Sequence, residues 1–182
     1  GYPTDQILSG LTPLPSEMAI GATWNPELAR RVGEVRGREL AALGINLYLG
    51  PSLDVLEVPA TGEVGGDLGT RVFGGDPFWV GEMGRAYVAG LHSGSGDRLR
   101  VIAKHFPGVG GSDRLPEEEV STVRKSLEQL KQIELAPFFA VTGNAGSPET
   151  TVDGLLVSHI RYQGFQGNIR ATTRPISFDP QA

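Results

Sequence analysis

Four ionisable side chains stand just behind short apolar runs of this sequence, where a strand hands over to a loop. Asp54 follows Ile45-Asn46-Leu47-Tyr48-Leu49, Lys104 and His105 follow Val101-Ile102-Ala103, and His159 follows Gly154-Leu155-Leu156-Val157-Ser158. In parallel α/β folds ligands bind at the carboxyl ends of strands, because the following loops gather there. Three strands delivering ionisable groups to one rim is more than a purely structural sheet requires. Each group also has an ordinary role. Asp54 can fix its loop by accepting backbone N–H bonds, a lysine at a strand end can be solvated, and a histidine can be a hydrogen-bonded structural residue. Lys104 is also an amine of the kind that forms Schiff bases, although nothing beside it favours that chemistry. The run Gly108-Val109-Gly110-Gly111-Ser112 invites a phosphate-loop reading, but it lacks both the Gly-x-Gly-x-x-Gly spacing and a Gly-Lys-Ser/Thr ending.

Three helix-then-strand units must position these groups. Asn25-Pro26 caps and starts a helix whose apolar stripe reads Leu28, Val32, Val35, Leu40 and Leu43, with Gly44 as its stop. Asp76-Pro77 starts a second, with Val80, Met83, Tyr87 and Leu91 on one face and a break at Gly94 to Gly96. The third begins near Ser126, where Gln129 completes a capping box, and Pro137 kinks or restarts it. The strands are expected at 45–49, 101–103 and 154–158, and the Gly/Pro-rich stretches 58–75 and 106–116 as loops between elements. Alternating helices and continuous apolar strands give one α/β domain with a parallel sheet.

Composition narrows the function. A formal net charge of −5 argues against a nucleic-acid partner. No apolar run approaches the roughly 20 residues of a membrane-spanning helix. The absence of cysteine excludes disulfides, thiolate metal sites and cysteine nucleophiles. At 182 residues the chain is short for a closed eight-fold barrel, which takes about 250.

Ala103-Lys104-His105-Phe106-Pro107-Gly108 resembles the signature of family 3 glycoside hydrolases, especially their β-N-acetylglucosaminidase-like branch. Gly50-Pro51-Ser52-Leu53-Asp54-Val55 is similar to the family's Ala-Pro-x-x-Asp-Val, and Arg71-Val72-Phe73-Gly74-Gly75-Asp76-Pro77 to its Arg-x-Phe-Gly-x-Asp-Pro. Glu134-Leu135-Ala136-Pro137-Phe138 resembles its Glu-Leu-x-Pro-Phe helix, and Leu156-Val157-Ser158-His159-Ile160 the strand ending in Ala-His. The resemblance implies part of a TIM-type (β/α)8 barrel, with residues 1–182 forming its central strands only. It implies retaining hydrolysis of a terminal β-linked N-acetylglucosaminide or glucoside, with a carbohydrate as partner and no metal or organic cofactor. Arg71, Lys104 and His105 fall on the family's sugar-binding positions, and Asp54 and His159 are expected to support them.

The sequence departs from the family where the acid/base stands. The Asp-x-His dyad expected after Lys-His-Phe-Pro-Gly is replaced by a histidine-free loop, Val109 to Glu119. Asp113 is the candidate acid/base, although Arg114 beside it favours the ionised form. Pro116-Glu117-Glu118-Glu119 is expected to start a helix, its acidic side chains offsetting the dipole. By the same resemblance the nucleophilic aspartate lies on a strand beyond residue 182, and a further sugar-binding aspartate before Gly1. Asp179 is then a helix cap, and this chain alone is expected to be inactive. It is also expected to need the remainder of the barrel, or self-association, to cover its sheet. The alternative is a barrel that has lost catalysis and only binds carbohydrate.

Overall fold

The computed structural model describes residues 10–57, 69–114 and 120–180. The loop expected at 58–75 is described only from residue 69, and the helix start expected at Pro116 to Glu119 lies outside the described residues. The first described helix, α1 (Glu17–Gly21), was not expected from the sequence; Ser16 caps it by accepting the Ala19 N–H. The next two helices start where expected. Asn25 accepts the Glu27 and Leu28 N–H groups at the start of α2 (Pro26–Ala42), and Asp76 accepts that of Trp79 at the start of α3 (Pro77–Ser95). Gly96 ends α3 in the left-handed conformation, φ 60°.

The apolar stripe expected on α2 is buried only in part: Leu40 is buried and Val32 packs against the core, but the face is set elsewhere. Leu28 and Leu43 are exposed, and the buried residues are Ala29, Gly33, Arg36, Gly37 and Leu40. Glycine sets this face. A Cβ on Gly33 or Gly37 would lie 2.3 Å from the carbonyl oxygen of Tyr87 or Leu91, and one on Gly90 or Gly94 2.0 Å from that of Arg30 or Glu34. The two helices therefore meet backbone to backbone, and leucine spacing is a poor guide to such a seam. The α3 face reads as expected, with Val80, Met83, Tyr87 and Leu91 buried.

The strands in chain order are β1 (Leu47–Ser52), β2 (Arg100–Phe106), β3 (Thr122–Val123), β4 (Gly154–Val157) and β5 (Arg161–Tyr162). β1, β2 and β4 form a parallel sheet in that order, which bears out the α/β reading. β1 begins later than expected because the Ile45 N–H is spent on the Leu40 carbonyl, closing α2. β2 runs longer, so Lys104 and His105 lie within the strand rather than beyond it. β3 and β5 pair separately, a small parallel sheet the sequence did not announce.

The third helix forms as two pieces. α4 (Leu127–Gln132) carries the expected Ser126–Gln129 capping box, and α5 (Ala136–Ala140) restarts around Pro137. One sheet face packs on the helices, where Val101 and Ala103 join Tyr87, Leu91 and Phe138 and the partly buried Tyr48 and Leu155. Alternation puts Leu49, Ile102, Lys104 and Leu156 on the opposite face. There Leu47, Leu49 and Leu156 are exposed.

The seam yields a stability prediction. Gly90→Ala should lower the unfolding free energy by about 1–3 kcal/mol through overpacking, read as a fall in the urea midpoint. Gly143→Ala, with nothing near its Cβ position, should leave that midpoint almost unmoved.

Candidate functional site

Asp54 leaves the end of β1 fully buried. Its Oδ2 accepts from the Ser52 hydroxyl at 2.6 Å and from His105 Nδ1 at 2.8 Å, and its Oδ1 accepts from the Val109 N–H at 2.8 Å. Burial pushes this carboxyl up, but the His105 ring, the Ser52 hydroxyl and the Val109 amide outweigh it and hold the group below the ordinary aspartate value. A carboxylate there requires a proton on His105 Nδ1, which leaves Nε2 as the ring's second, ligand-available nitrogen. The peptide bonds Gly50–Pro51, Lys104–His105 and Phe106–Pro107 are cis.

Lys104 stands beside His105, directly opposite Ser52 across the β1–β2 ladder. Burial lowers its pKa and the nearby Arg71 guanidinium adds to that, while Glu17 and Asp54 oppose it. Among the described residues its ammonium makes no ion pair within 4 Å. The structure thus brings Lys104, His105 and Asp54 to one strand end, with the charge of Arg71 acting on Lys104.

Two other candidate positions make local contacts. His159 follows β4, but its Nδ1 bonds the Ser177 hydroxyl at 2.8 Å and its ring meets Phe178 edge-on at 5.1 Å. Asp113 sits in the turn that bridges to β3. Its carboxylate accepts the Thr122 N–H at 2.9 Å and pairs with Arg114 and Arg124 at 3.3 and 3.5 Å. These bonds tie the loop to β3.

Sequence reasoning missed the groups that support the rim from below. Glu17, in the first turn of α1, is only 5% exposed, and it faces Arg36, Lys104, the Ser52 N–H and Asp54. Burial raises its pKa to about 8 against the pull of those two cations. An acidic residue just after a serine cap reads in sequence as an ordinary solvated helix start, so nothing local marked it. Tyr162 donates to the Gly108 carbonyl at 2.8 Å and contacts the Ser158 hydroxyl, fixing the turn after His105. Below that turn Glu134, fully buried, takes a 2.6 Å bond from Lys125, which also bonds Glu57. Burial raises the Glu134 pKa despite Lys125.

Comparison with known proteins places the chain in a family. The glycosyl hydrolase family 3 N-terminal domain matches residues 4–181. A β-hexosaminidase of Pseudomonas aeruginosa is 27% identical over 163 residues, 89% of this chain and 45% of the relative. "Probable beta-glucosidase H" of Emericella nidulans is 32% identical over 132 residues, 72% of this chain and 15% of the relative. The solved structure of a family 3 β-N-acetylglucosaminidase from Paenibacillus superposes with a TM-score of 0.79 at 30% identity, covering 92% of this chain and 28% of that one. The chain spans less than half the length of these relatives. It belongs to glycosyl hydrolase family 3, and its parallel sheet with flanking helices is part of that family's TIM barrel.

The raised Glu17 pKa has a thermodynamic consequence. Between pH 4.5, the ordinary glutamate value, and about 8, the unfolded chain has released a proton that the folded chain retains. Stability therefore falls as pH rises across that window and is level above it. Glu17→Gln removes this slope, so its unfolding free energy, read by urea titration, should gain on the parent's from pH 5 to pH 8, by a few kcal/mol (order of magnitude) at the upper end.

Proposed function

We propose that this chain is the sugar-holding segment of a retaining glycosidase that removes terminal β-linked sugars of the N-acetylglucosamine or glucose type. The observation that carries the reading is the Lys104–His105 pair with a buried carboxylate fixing the imidazole. Lys104 and Arg71 offer only donors and suit sugar hydroxyl oxygens. His105 presents Nε2 for a further hydroxyl, its other nitrogen being committed to Asp54. Neither a β-hexosaminidase nor a β-glucosidase relative decides the substituent at the sugar's second carbon.

Retaining hydrolysis needs a carboxylate to attack the anomeric carbon and a second group to protonate the leaving oxygen, through an oxocarbenium-like transition state. We assign the nucleophile to a strand beyond residue 182 and take residues 1–182 as the central part of an incomplete barrel domain. His159, engaged with Ser177 and Phe178, supports the loop after β4 rather than the sugar. Asp113 is the acid/base candidate of this chain. Its carboxylate is engaged by Arg114, Arg124 and the Thr122 amide in tying the loop to β3, and that observation keeps the catalytically degenerate, carbohydrate-binding reading alongside the enzymatic one.

The test is made on the parent extended through both ends, with aryl β-N-acetylglucosaminide and aryl β-glucoside. Hydrolysis slowed in Asp113→Ala chiefly for poor leaving groups identifies the acid. Intact sugar binding without turnover establishes the degenerate barrel instead. Lys104→Ala should lower kcat/KM on the order of 10- to 100-fold, the worth of hydrogen bonds to a charged group. The 182-residue chain alone should show no turnover and should self-associate through its exposed Leu47, Leu49 and Leu156 face. Hydrolysis by that chain, or a monodisperse monomer in sedimentation, counts against the incomplete-barrel assignment.

A further inference from the structure

The glycine turn that follows Lys104 and His105 lies against a buried ion pair. Glu134, between α4 and α5, is fully buried beneath it. A Cβ on Gly108 would lie 2.8 Å from the Glu134 Cβ. One on Gly111 would lie 2.9 Å from Glu134 Oε1 and 3.0 Å from Lys125 Nζ. Gly108 also holds a φ of 125°, a conformation that favours glycine. A methyl on Gly110 would overlap the Val55 carbonyl, one residue past Asp54. The turn is thus cast against Glu134, Lys125 and the chain just beyond Asp54, with no room for a side chain at any of these contacts.

Lys125 joins segments that the sequence keeps apart. It follows β3, and its ammonium donates to Glu134 Oε1 at 2.6 Å and to Glu57, three residues beyond Asp54. The other oxygen of Glu134, Oε2, is buried with no hydrogen-bond partner among the described residues. A buried ion pair with an unsatisfied oxygen is poor value for stability, and apolar side chains of similar size often serve a fold better. What this pair supplies is a fixed surface on which bare backbone can lie. From that backbone the Val109 N–H donates to Asp54 Oδ1 at 2.8 Å, while Asp54 Oδ2 accepts from His105 Nδ1 at 2.8 Å. A line of direct contacts therefore runs from Lys125 and Glu134 through the turn to Asp54 and the His105 ring.

We propose that Lys125 and Glu134 are positioning residues for the sugar site, acting through the glycine turn and the Val109 amide on Asp54 and His105. The assignment rests on the sugar-binding role given above to His105. Lys125 fastens the floor of the turn to the loop after β1, so the Val109 N–H meets Asp54 in one place. Without that ammonium, Glu57 and Glu134 lose the cation that joins them and the turn loses its support. Asp54 then keeps its bond from Ser52 but holds the ring less firmly.

The experiment uses the full-length parent with Lys125→Met, Lys125→Arg and Gly111→Ala. Hydrogen exchange of the Val109 amide is followed by NMR beside that of Val101, a core-strand amide bonded to Asp153. The ratio of the two rates separates loosening of the turn from a general loss of stability. In Lys125→Met, Val109 should exchange faster relative to Val101, on the order of tenfold, as expected for losing bonds to a charged group. The His105 Nδ1–H resonance should weaken with it, and kcat/KM should fall. Lys125→Arg, which keeps the cation, should recover most of these losses. Gly111→Ala presses a methyl on Lys125 Nζ and Glu134 Oε1 from the side of the turn, and it should raise the ratio too. A ratio at the parent's value in Lys125→Met, or in Gly111→Ala should Lys125→Met not fold, overturns the proposal. So does faster Val109 exchange that leaves the His105 Nδ1–H unmoved. If the parent hydrolyses no glycoside, the glycosidase reading fails on its own, and the exchange ratio with the ring proton still decides the role of Lys125.

Discussion

The site depends on one buried carboxylate satisfied from three directions. A charged group out of water is costly unless hydrogen bonds replace its solvation. Asp54 receives them from the Ser52 hydroxyl, the His105 ring and the Val109 amide, all at 2.6–2.8 Å. Those donors belong to β1, to β2 and to the turn after β2, so the charge is compensated only when the two strands are in register. The same bonds select the imidazole tautomer and hold the glycine turn that Tyr162 grips from its other side. Positioning of the His105 ring and closure of the sheet end are one event.

The other buried carboxyls meet the same cost differently. Glu134 keeps one short bond to Lys125 and leaves Oε2 buried without a hydrogen-bond partner, and burial prevails in its pKa. Glu17 sits among cations that do not touch it, and burial prevails there too. Three acids within one small layer thus span a depressed, a raised and a strongly raised proton affinity. What sets Asp54 apart is that it receives three donors, since all three acids are shielded from water.

What the sequence made legible follows from the range of the forces involved. The caps at Asn25, Asp76 and Ser126 act within three residues and could be read directly. Lys104 and His105 were marked by their place at the end of an apolar run and by the Phe-Pro-Gly that follows. The seam between α2 and α3 was misread because glycines build it, and an apolar stripe is sought among large residues. Glu17 was invisible because its burial is set by Arg36, Ser52 and Lys104, all distant along the chain. The β3–β5 pair is two residues wide and has no periodicity to detect. Its register is held by Arg161, whose guanidinium donates to the carbonyls of Val120, Ala171 and Thr173.

The strand order has a consequence for how the protein comes into being. β1, β2 and β4 lie side by side in the order in which they are encoded. Each is laid on the edge of the one before it, so no strand waits for a distant partner and the entropy of closing long loops is kept small. A sheet of this kind grows in a single direction, in step with synthesis from the amino terminus. Its growing edge is β4, which carries the exposed Leu156 and Val157. Unpaired backbone and bare leucine on a growth edge are also what neighbouring nascent chains pair with. The pace of elongation across this stretch therefore sets how long that edge stays open to the wrong partner.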